Sequence, residues 1–362
     1  MDEKDQKVLE RVESEIKKID KKENKIIFFV VDTKGIASGS LEYIYKMAKA
    51  IKDAGYDVLM LHQEEYKDFV GVEEWLGKEY AELPHKFAND NVSVSASDIF
   101  FIPEIYTNIM KTAMRLPCKK IVICQNHDYL TEFIPIGEQL SDYRIMDVLA
   151  NTQQEADVIK SYFPYLRSNV VTPNIDKQFF KSDEPKNLYV NIVSNDETCI
   201  HKIVKPFYWK YPQFRWVSFR DIRGVSKEEI ANAFRESAIT IWVDERTRFG
   251  YTPLEALASG NIVIAKVPEK ASEWMKVGEE GELTPAVLWF RDYDELHEII
   301  AASVRAWTKD SVPSEIAAEA PKLLEKYTDG NFDKNVVEYV SGMLANRKAE
   351  MEDVIKKIKE KK

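Results

Sequence analysis

Cysteine is scarce in this sequence: three residues in 362, Cys118, Cys124 and Cys199. A disulfide framework needs more, so the three are expected as reduced, buried thiols. No stretch approaches the ~18 consecutive apolar residues of a membrane span. Residues 2–23 are highly charged and lack the apolar segment of a signal peptide, so a cytoplasmic protein is expected. Basic charge is not in excess: 51 lysines and arginines stand against 61 acidic residues, a net charge of −10. That balance argues against a nucleic-acid binder, although a local basic pocket for a phosphate stays open. The five histidines, at 62, 85, 127, 201 and 297, show no metal-ligand spacing. No G-x-G-x-x-G is present, and no Ser-His-Asp or Cys-His arrangement can be argued from spacing. No short repeat or low-complexity segment occurs except the lysine-rich end.

What is present is ample core material, 44% apolar residues, in a chain long enough for two domains. Residues 3–23 carry apolar residues at helical spacing and predict an amphipathic helix. Lys25–Val31 (KIIFFVV) is a continuous β-branched and aromatic run, which is how a strand buried on both faces reads. A polar turn, Asp32–Gly39, leads to a helix that stops at Gly55, and Val58–Leu61 is the next strand. This is a βαβ unit, so a parallel sheet is expected. Strands are predicted at Ile99–Ile102, Lys120–Cys124, Val148–Ala150 and Asn169–Thr172. The polar stretch 181–187 (KSDEPKN) suits a linker. The pattern then restarts, with strands at Tyr189–Val193, Trp216–Phe219, Thr240–Val243, Ile262–Ala265 and Val287–Phe290 separated by helices near 226–236, 252–259, 293–307 and 313–327. The expected organisation is α/β, with two Rossmann-like domains at 1–175 and 186–331 and a charged helix over 332–362 that packs back on the first. Its tail, IKKIKEKK, reads first as a solvated helix end and second as a weak contact with an anionic membrane surface.

The most informative segment is Asp244–Ala265, DERTRFGYTPLEALASGNIVIA. A strand runs into a polar loop, then Phe249-Gly250 opens a helix with Thr252 expected as its N-cap and Pro253 at its first position. Free N–H groups and the helix dipole at such a start make an anion site. Glu255 is expected in the first turn, where a carboxylate can accept hydrogen bonds from ribose hydroxyls.

The pattern F-G-x-x-x-L-E-A-x-A-x-G resembles the donor-binding motif of retaining GT-B glycosyltransferases of the family 4, or group 1, type. Val170–Phe180 (VVTPNIDKQFF), preceded by Leu149-Ala150-Asn151-Thr152, is similar to that family's segment at the domain junction. The resemblance covers about residues 25–345, most densely 148–275. It implies a GT-B architecture, with parallel sheets facing each other across a cleft. It also implies transfer of a hexose from a nucleotide-diphosphate-sugar with retention and without a metal or other cofactor. On the donor side it points to Lys202, Lys205, Arg248, the backbone of Phe249, Gly250, Tyr251, Thr252 and Pro253, and Glu255. His127, at the end of a strand, matches a family histidine that reaches toward the donor sugar. Gly35, Ser38, Gly39 and Asp128 are expected on the acceptor side. Two departures stand out. Thr247 occupies the place of a second family glutamate, for which Glu245 is the nearest substitute. No arginine precedes Lys202.

Those departures motivate the alternatives, a GT-B-shaped binding or scaffold protein without transferase activity, or a nucleotide-sugar epimerase. The acceptor stays open among a glycan, a lipid-linked sugar, a small molecule and a protein, as does a homo-oligomeric state. Glu255→Ala is expected to weaken donor binding while leaving the fold intact.

Overall fold

The computed structural model describes residues 3–30, 38–62, 70–87, 90–180, 185–244, 248–278, 281–310, 314–328 and 330–360. The chain forms two compact units. The first comprises Met1–Thr172 and Asn331–Lys362, and the second Pro173–Gly330.

In the first unit the helix α1 (Glu3–Asp20) precedes strand β1 (Lys25–Val30). There follow α2 (Gly39–Asp53), β2 (Asp57–His62), α3 (Val70–Leu76), α4 (Lys78–Ala81), β3 (His85–Phe87), β4 (Ile99–Pro103) and α5 (Thr107–Ala113). The unit continues with β5 (Lys119–Cys124), α6 (His127–Phe133), β6 (Asp147–Ala150), α7 (Gln153–Tyr162) and β7 (Arg167–Val170). The strands make one seven-stranded sheet in the order β3-β2-β1-β4-β5-β6-β7. Every pairing in it is parallel.

The apolar run of β1 divides between the two faces of this sheet. Ile26, Phe28 and Val30 join one core, and Ile27 and Phe29 the other. Side chains alternate along a strand, so a strand covered on both faces needs apolar residues at every position. The first core is closed by α2 and by the last helix of the chain, α13 (Phe332–Glu360), which contributes Phe332, Val336, Val340, Met343, Leu344 and Met351. Polar contacts fix α13 as well: the Tyr56 and Ser341 hydroxyls lie 2.9 Å apart, and Lys348 pairs with Asp20 of α1 at 2.6 Å.

The second unit holds β8 (Asn187–Ser194), α8 (Cys199–Lys210), β9 (Ser218–Asp221), α9 (Lys227–Glu236), β10 (Ser237–Val243), α10 (Tyr251–Ala258) and β11 (Ile262–Lys266). The short strands β12 (Lys276–Val277), β13 (Glu282–Leu283) and β14 (Leu288–Phe290) come next, then α11 (Tyr293–Thr308) and α12 (Ser314–Thr328). Its five-stranded sheet, β14-β11-β10-β8-β9, is again parallel throughout. β12 and β13 form a separate antiparallel pair.

Differences from the sequence expectations are local. The strand expected at Asn169–Thr172 is Arg167–Val170. β3, β12 and β13 are too short to leave a periodic signal. The chain enters the second unit at Pro173, ahead of the polar stretch 181–187. The Ile175 amide donates to the Tyr327 carbonyl at 3.0 Å, and Phe179 is fully buried 6.0 Å from the Phe234 ring.

Among the described residues, no helix is long and apolar enough to cross a membrane, and no group of three or more His, Cys, Asp or Glu side chains is placed to hold a metal ion.

Candidate functional site

In an open parallel sheet, ligands bind beyond the carboxyl ends of the strands where the strand order reverses. In the second unit that reversal lies between β8 and β10. The residues following the two strands meet there: Asn195 Nδ2 donates to Asp244 Oδ2 at 3.1 Å. Next to Asn195, Asp196 accepts from the Thr198 amide and hydroxyl and pairs with Lys202 Nζ at 3.0 Å. These bonds, led by that of the Thr198 hydroxyl, hold the Asp196 carboxyl at about 2. Lys202 is half exposed on α8, and Lys205 is exposed one turn on. Arg248 is partly buried, and burial lowers its guanidinium from the ordinary value against the opposing pull of Glu269.

The Phe-Gly pair leading into α10 is rigidly held. The Phe249 carbonyl accepts from Trp274 Nε1 and, at 3.4 Å, from Ser272 Oγ. Its ring packs edge-on against Tyr251 and Tyr327, with centroids 4.8 and 5.6 Å away. Gly250 takes φ +75°, ψ 73°, and is itself the N-cap. The helix therefore begins at Tyr251, not at Thr252–Pro253 as expected from the sequence. Pro253 stands at the third helical position, still within the first turn, where its missing N–H would have no intrahelical partner in any case. Glu255 consequently lies in the second turn rather than the first. It is buried, 3% exposed, and its Oε1 sits 2.5 Å from Nζ of Lys227, the first residue of α9. Lys227 is itself buried, its ammonium 4.9 Å from the centroid of the Phe179 ring. Sequence reasoning missed Lys227, because Ser226-x-x-Glu229 reads as a helix-capping box and does form one.

The first unit has its own cluster at the carboxyl ends of β4, β5 and β6. Two buried carboxylates organise the turn between β5 and α6. Glu104, directly after β4, accepts the amides of Gln125 and Asn126 on Oε1, both at 3.0 Å. Glu155, in the first turn of α7, accepts the His127 amide at 2.7 Å and contacts His127 Nδ1 at 2.8 Å with the same Oε2. Both ring nitrogens of His127 thus face carboxylates, Nδ1 that of Glu155 and Nε2 that of Asp128, whose Oδ1 is 3.3 Å away, and each ring nitrogen donates when it carries a proton. Burial raises the Glu104 carboxyl to about 7, with a smaller push from Glu155 and an opposing pull from the amides. Gln125 Nε2 reaches the Ser40 carbonyl at the start of α2, at 3.0 Å, and ties in the segment that carries Ser38 and Gly39. Ser38 is the N-cap of α2 and Gly39 its first residue. Asp128 is part-exposed at the second position of α6.

The structure thus brings His127 and Asp128 together in one unit, and Lys202, Arg248 and Phe249–Glu255 at the strand ends of the other. Gly35 and Glu245, like Arg246 and Thr247, lie outside the described residues. Glu104, which holds the Gln125 and Asn126 amides, and Glu155, which holds His127, were missed by sequence reasoning. The signal at Glu104 is a glutamate just beyond a buried strand, and Thr152-x-x-Glu155 reads only as a helix cap.

No family model matches the chain. An α-1,6-glucosyltransferase of Actinobacillus pleuropneumoniae serotype 7 (strain AP76) is 22% identical over 215 residues, 55% of this chain and 65% of that protein. The match therefore spans less than two thirds of that relative. Among solved structures, a mutant of S. aureus TarM in complex with Fondaparinux, α-GlcNAc-glycerol and UDP is 9% identical with a TM-score of 0.59, over 89% of this chain and 99% of that one. Sucrose-phosphate synthase from Thermosynechococcus elongatus is 11% identical with a TM-score of 0.56, over 89% and 100%. An α-glucosyltransferase in complex with UDP and a 13-mer DNA is 12% identical with a TM-score of 0.53, over 92% and 99%. The fold shared with these structures is the two-unit α/β fold of GT-B proteins.

Proposed function

We propose that the protein is a glycosyltransferase that moves a sugar from a nucleotide-diphosphate-sugar to an acceptor hydroxyl. The observation that carries this reading is the constellation at the β8/β10 switch point. Lys202, the Asn195–Asp244 bridge and the rigidly held Phe249-Gly250 start of α10 gather positive charge and a helix N-terminus at the carboxyl ends of the interior strands β8 and β10. Positive side chains and a helix N-terminus together suit a diphosphate, and they stabilise the charge that develops on it as the sugar leaves. Lys205 and Arg248 supply further charge to the same end of the unit. Glu255 serves the ribose, and Lys227 holds its carboxylate in place.

In the first unit, His127, held through Nδ1 by Glu155, offers Nε2 as a polar contact on the sugar and acceptor side, beside Asp128. Ser38 and Gly39, at the start of α2, belong to the same side. The chemistry asks nothing of a metal, and retention of configuration follows the resemblance to the family 4 type. A glucosyl donor on UDP is the first to test, because the sequence relative is a glucosyltransferase and two of the structural relatives hold UDP.

The test is calorimetric titration of UDP and UDP-glucose, followed by release of UDP in the presence of candidate glycan, lipid and small-molecule acceptors. Binding with turnover supports the proposal. Binding with no turnover on any acceptor turns it into a non-catalytic nucleotide-sugar binder. No binding of any UDP-, GDP-, ADP- or TDP-sugar removes it.

A further inference from the structure

At the opposite, amino end of the seven-stranded sheet, the starts of β5, β6 and β7 and the helix α13 line an open cavity of about 180 Å³. Its lining is unusual for a chain of net charge −10. Lys119, Lys120, Arg144, Arg167 and Arg347 face two carboxylates, Asp147 and Glu350, a local excess of three positive charges.

The two carboxylates are already committed. Asp147 takes a two-pronged contact from Arg167, Nε to Oδ1 and Nη2 to Oδ2, both at 2.8 Å, and Lys119 approaches it at 3.4 Å. Glu350 pairs with Arg347 at 3.0 Å. Two cations remain. The Lys120 side chain belongs to a residue only 6% exposed, and its ammonium donates to one neutral acceptor, the Leu116 carbonyl at 2.9 Å. Among the described residues, neither Lys120 nor Arg144 meets a carboxylate. Arg144 closes a turn in the left-handed region, φ +57°, which is uncommon for a residue with a side chain. The remaining lining group able to carry negative charge, the Cys118 thiol, is held neutral, since burial pushes it up to about 11. Burial, and repulsion from Arg144 and Arg347, disfavour the charged form of Lys120. Buried charges in proteins are paired, and this one lacks a partner of opposite sign.

We propose that this cavity is a binding site for a phosphate-bearing anion, held by Lys120 and Arg144, beside the charge of the already paired Arg347 and separate from the strand-end clusters. Guanidinium groups fit the oxygens of a phosphate in two-pronged fashion, and a buried ammonium adds a point charge. The cavity is open to solvent, so a phosphate group can seat on these side chains while its substituent projects outward. The shared chemistry is a phosphate dianion, either free or as the phosphomonoester of a small sugar.

The experiment is calorimetric titration of the full chain with inorganic phosphate and with glucose 6-phosphate, in a phosphate-free buffer. Wild type and Lys202→Ala are expected to bind one equivalent with equal affinity. Arg144→Asn, which suits the left-handed backbone and removes a cation that holds nothing else, and Lys120→Met should each weaken binding at least tenfold, as a charge-assisted contact demands (~1.4 kcal/mol). Tighter binding of glucose 6-phosphate than of phosphate identifies a sugar phosphate as the occupant, and the reverse order identifies the free anion. Equal affinity in wild type and Arg144→Asn overturns the proposal, and so does loss of binding in Lys202→Ala. Absence of binding by about 10 mM of either ligand, weaker than any millimolar site, also overturns it.

Discussion

The ammonium of Lys227 and the carboxylate of Glu255 lie 2.5 Å apart with less than a tenth of either side chain exposed. Breaking such a pair from one side leaves an uncompensated buried charge and costs about 3–5 kcal/mol. Glu255→Ala is therefore expected to lower the denaturant midpoint markedly, where the sequence alone led to the expectation of weakened donor binding in an intact fold. The double variant Lys227→Met, Glu255→Leu should recover most of the loss. An unchanged midpoint in Glu255→Ala refutes the structural role of the pair. Donor affinity is better read in Glu255→Gln, which keeps the shape of the side chain.

Gly250→Ala tests the geometry of the motif that opens α10. The left-handed backbone at this position disfavours any side chain, and a Cβ would meet Met275 Cε and a Trp242 ring carbon at 3.2 Å. A loss of about 1–3 kcal/mol in stability is expected from the backbone alone. Thermal unfolding reads it directly, and a melting temperature equal to wild type contradicts the assignment.

Lys202 separates binding from stability. Its pairing with Asp196 is solvent-exposed, so Lys202→Ala should unfold like wild type. Affinity for UDP should nonetheless fall about tenfold at low salt, the value of one charge-assisted contact to a phosphate. The two readouts moving together would argue for a structural lysine instead.

Glu104 makes the stability of the first unit depend on pH. Its carboxyl is raised to about 7 from an ordinary 4.5, chiefly by burial. Between these values the folded chain holds a proton that the unfolded chain has released. Stability is thus fullest below about 4.5 and falls as pH rises toward 7, by an amount on the order of 3 kcal/mol. Glu104→Gln keeps an acceptor oxygen for the amides of Gln125 and Asn126 but cannot ionise. Urea midpoints measured from pH 4.5 to 7.5 should decline less steeply in the variant than in wild type. Parallel curves would show that Glu104 does not titrate in this range.

Parallel strands were legible where burial on both faces leaves unbroken apolar runs such as IIFFV of β1, whereas β10, read as Thr240–Val243, starts three residues earlier at Ser237. The helices expected near 226–236 and 293–307 start at Lys227 and Tyr293, and a side chain caps each, Ser226 and Asp292. The start of α10 was misplaced because Thr-Pro carries the usual sequence signature. The backbone of Gly250 decides the point instead, through packing against Trp242 and Met275 that lies outside the local sequence. The same reason hid Lys227, Glu104 and Glu155. Each owes its role to a partner 21 to 28 residues away, and a single charged residue in a helix start or strand end carries no mark of burial.

The path of the chain sets an order on its own synthesis. Unit two is one continuous segment, so all of its core is present once residue 330 has emerged. Unit one is not: its sheet is made within the first 172 residues, yet six core side chains on one face arrive only with α13. While the ribosome translates the intervening 158 residues, the apolar faces of Tyr43, Met47 and Phe101 wait for that helix. The segment made later is thus able to finish folding first, and the one made first stays dependent on whatever shields that face until the final helix is delivered.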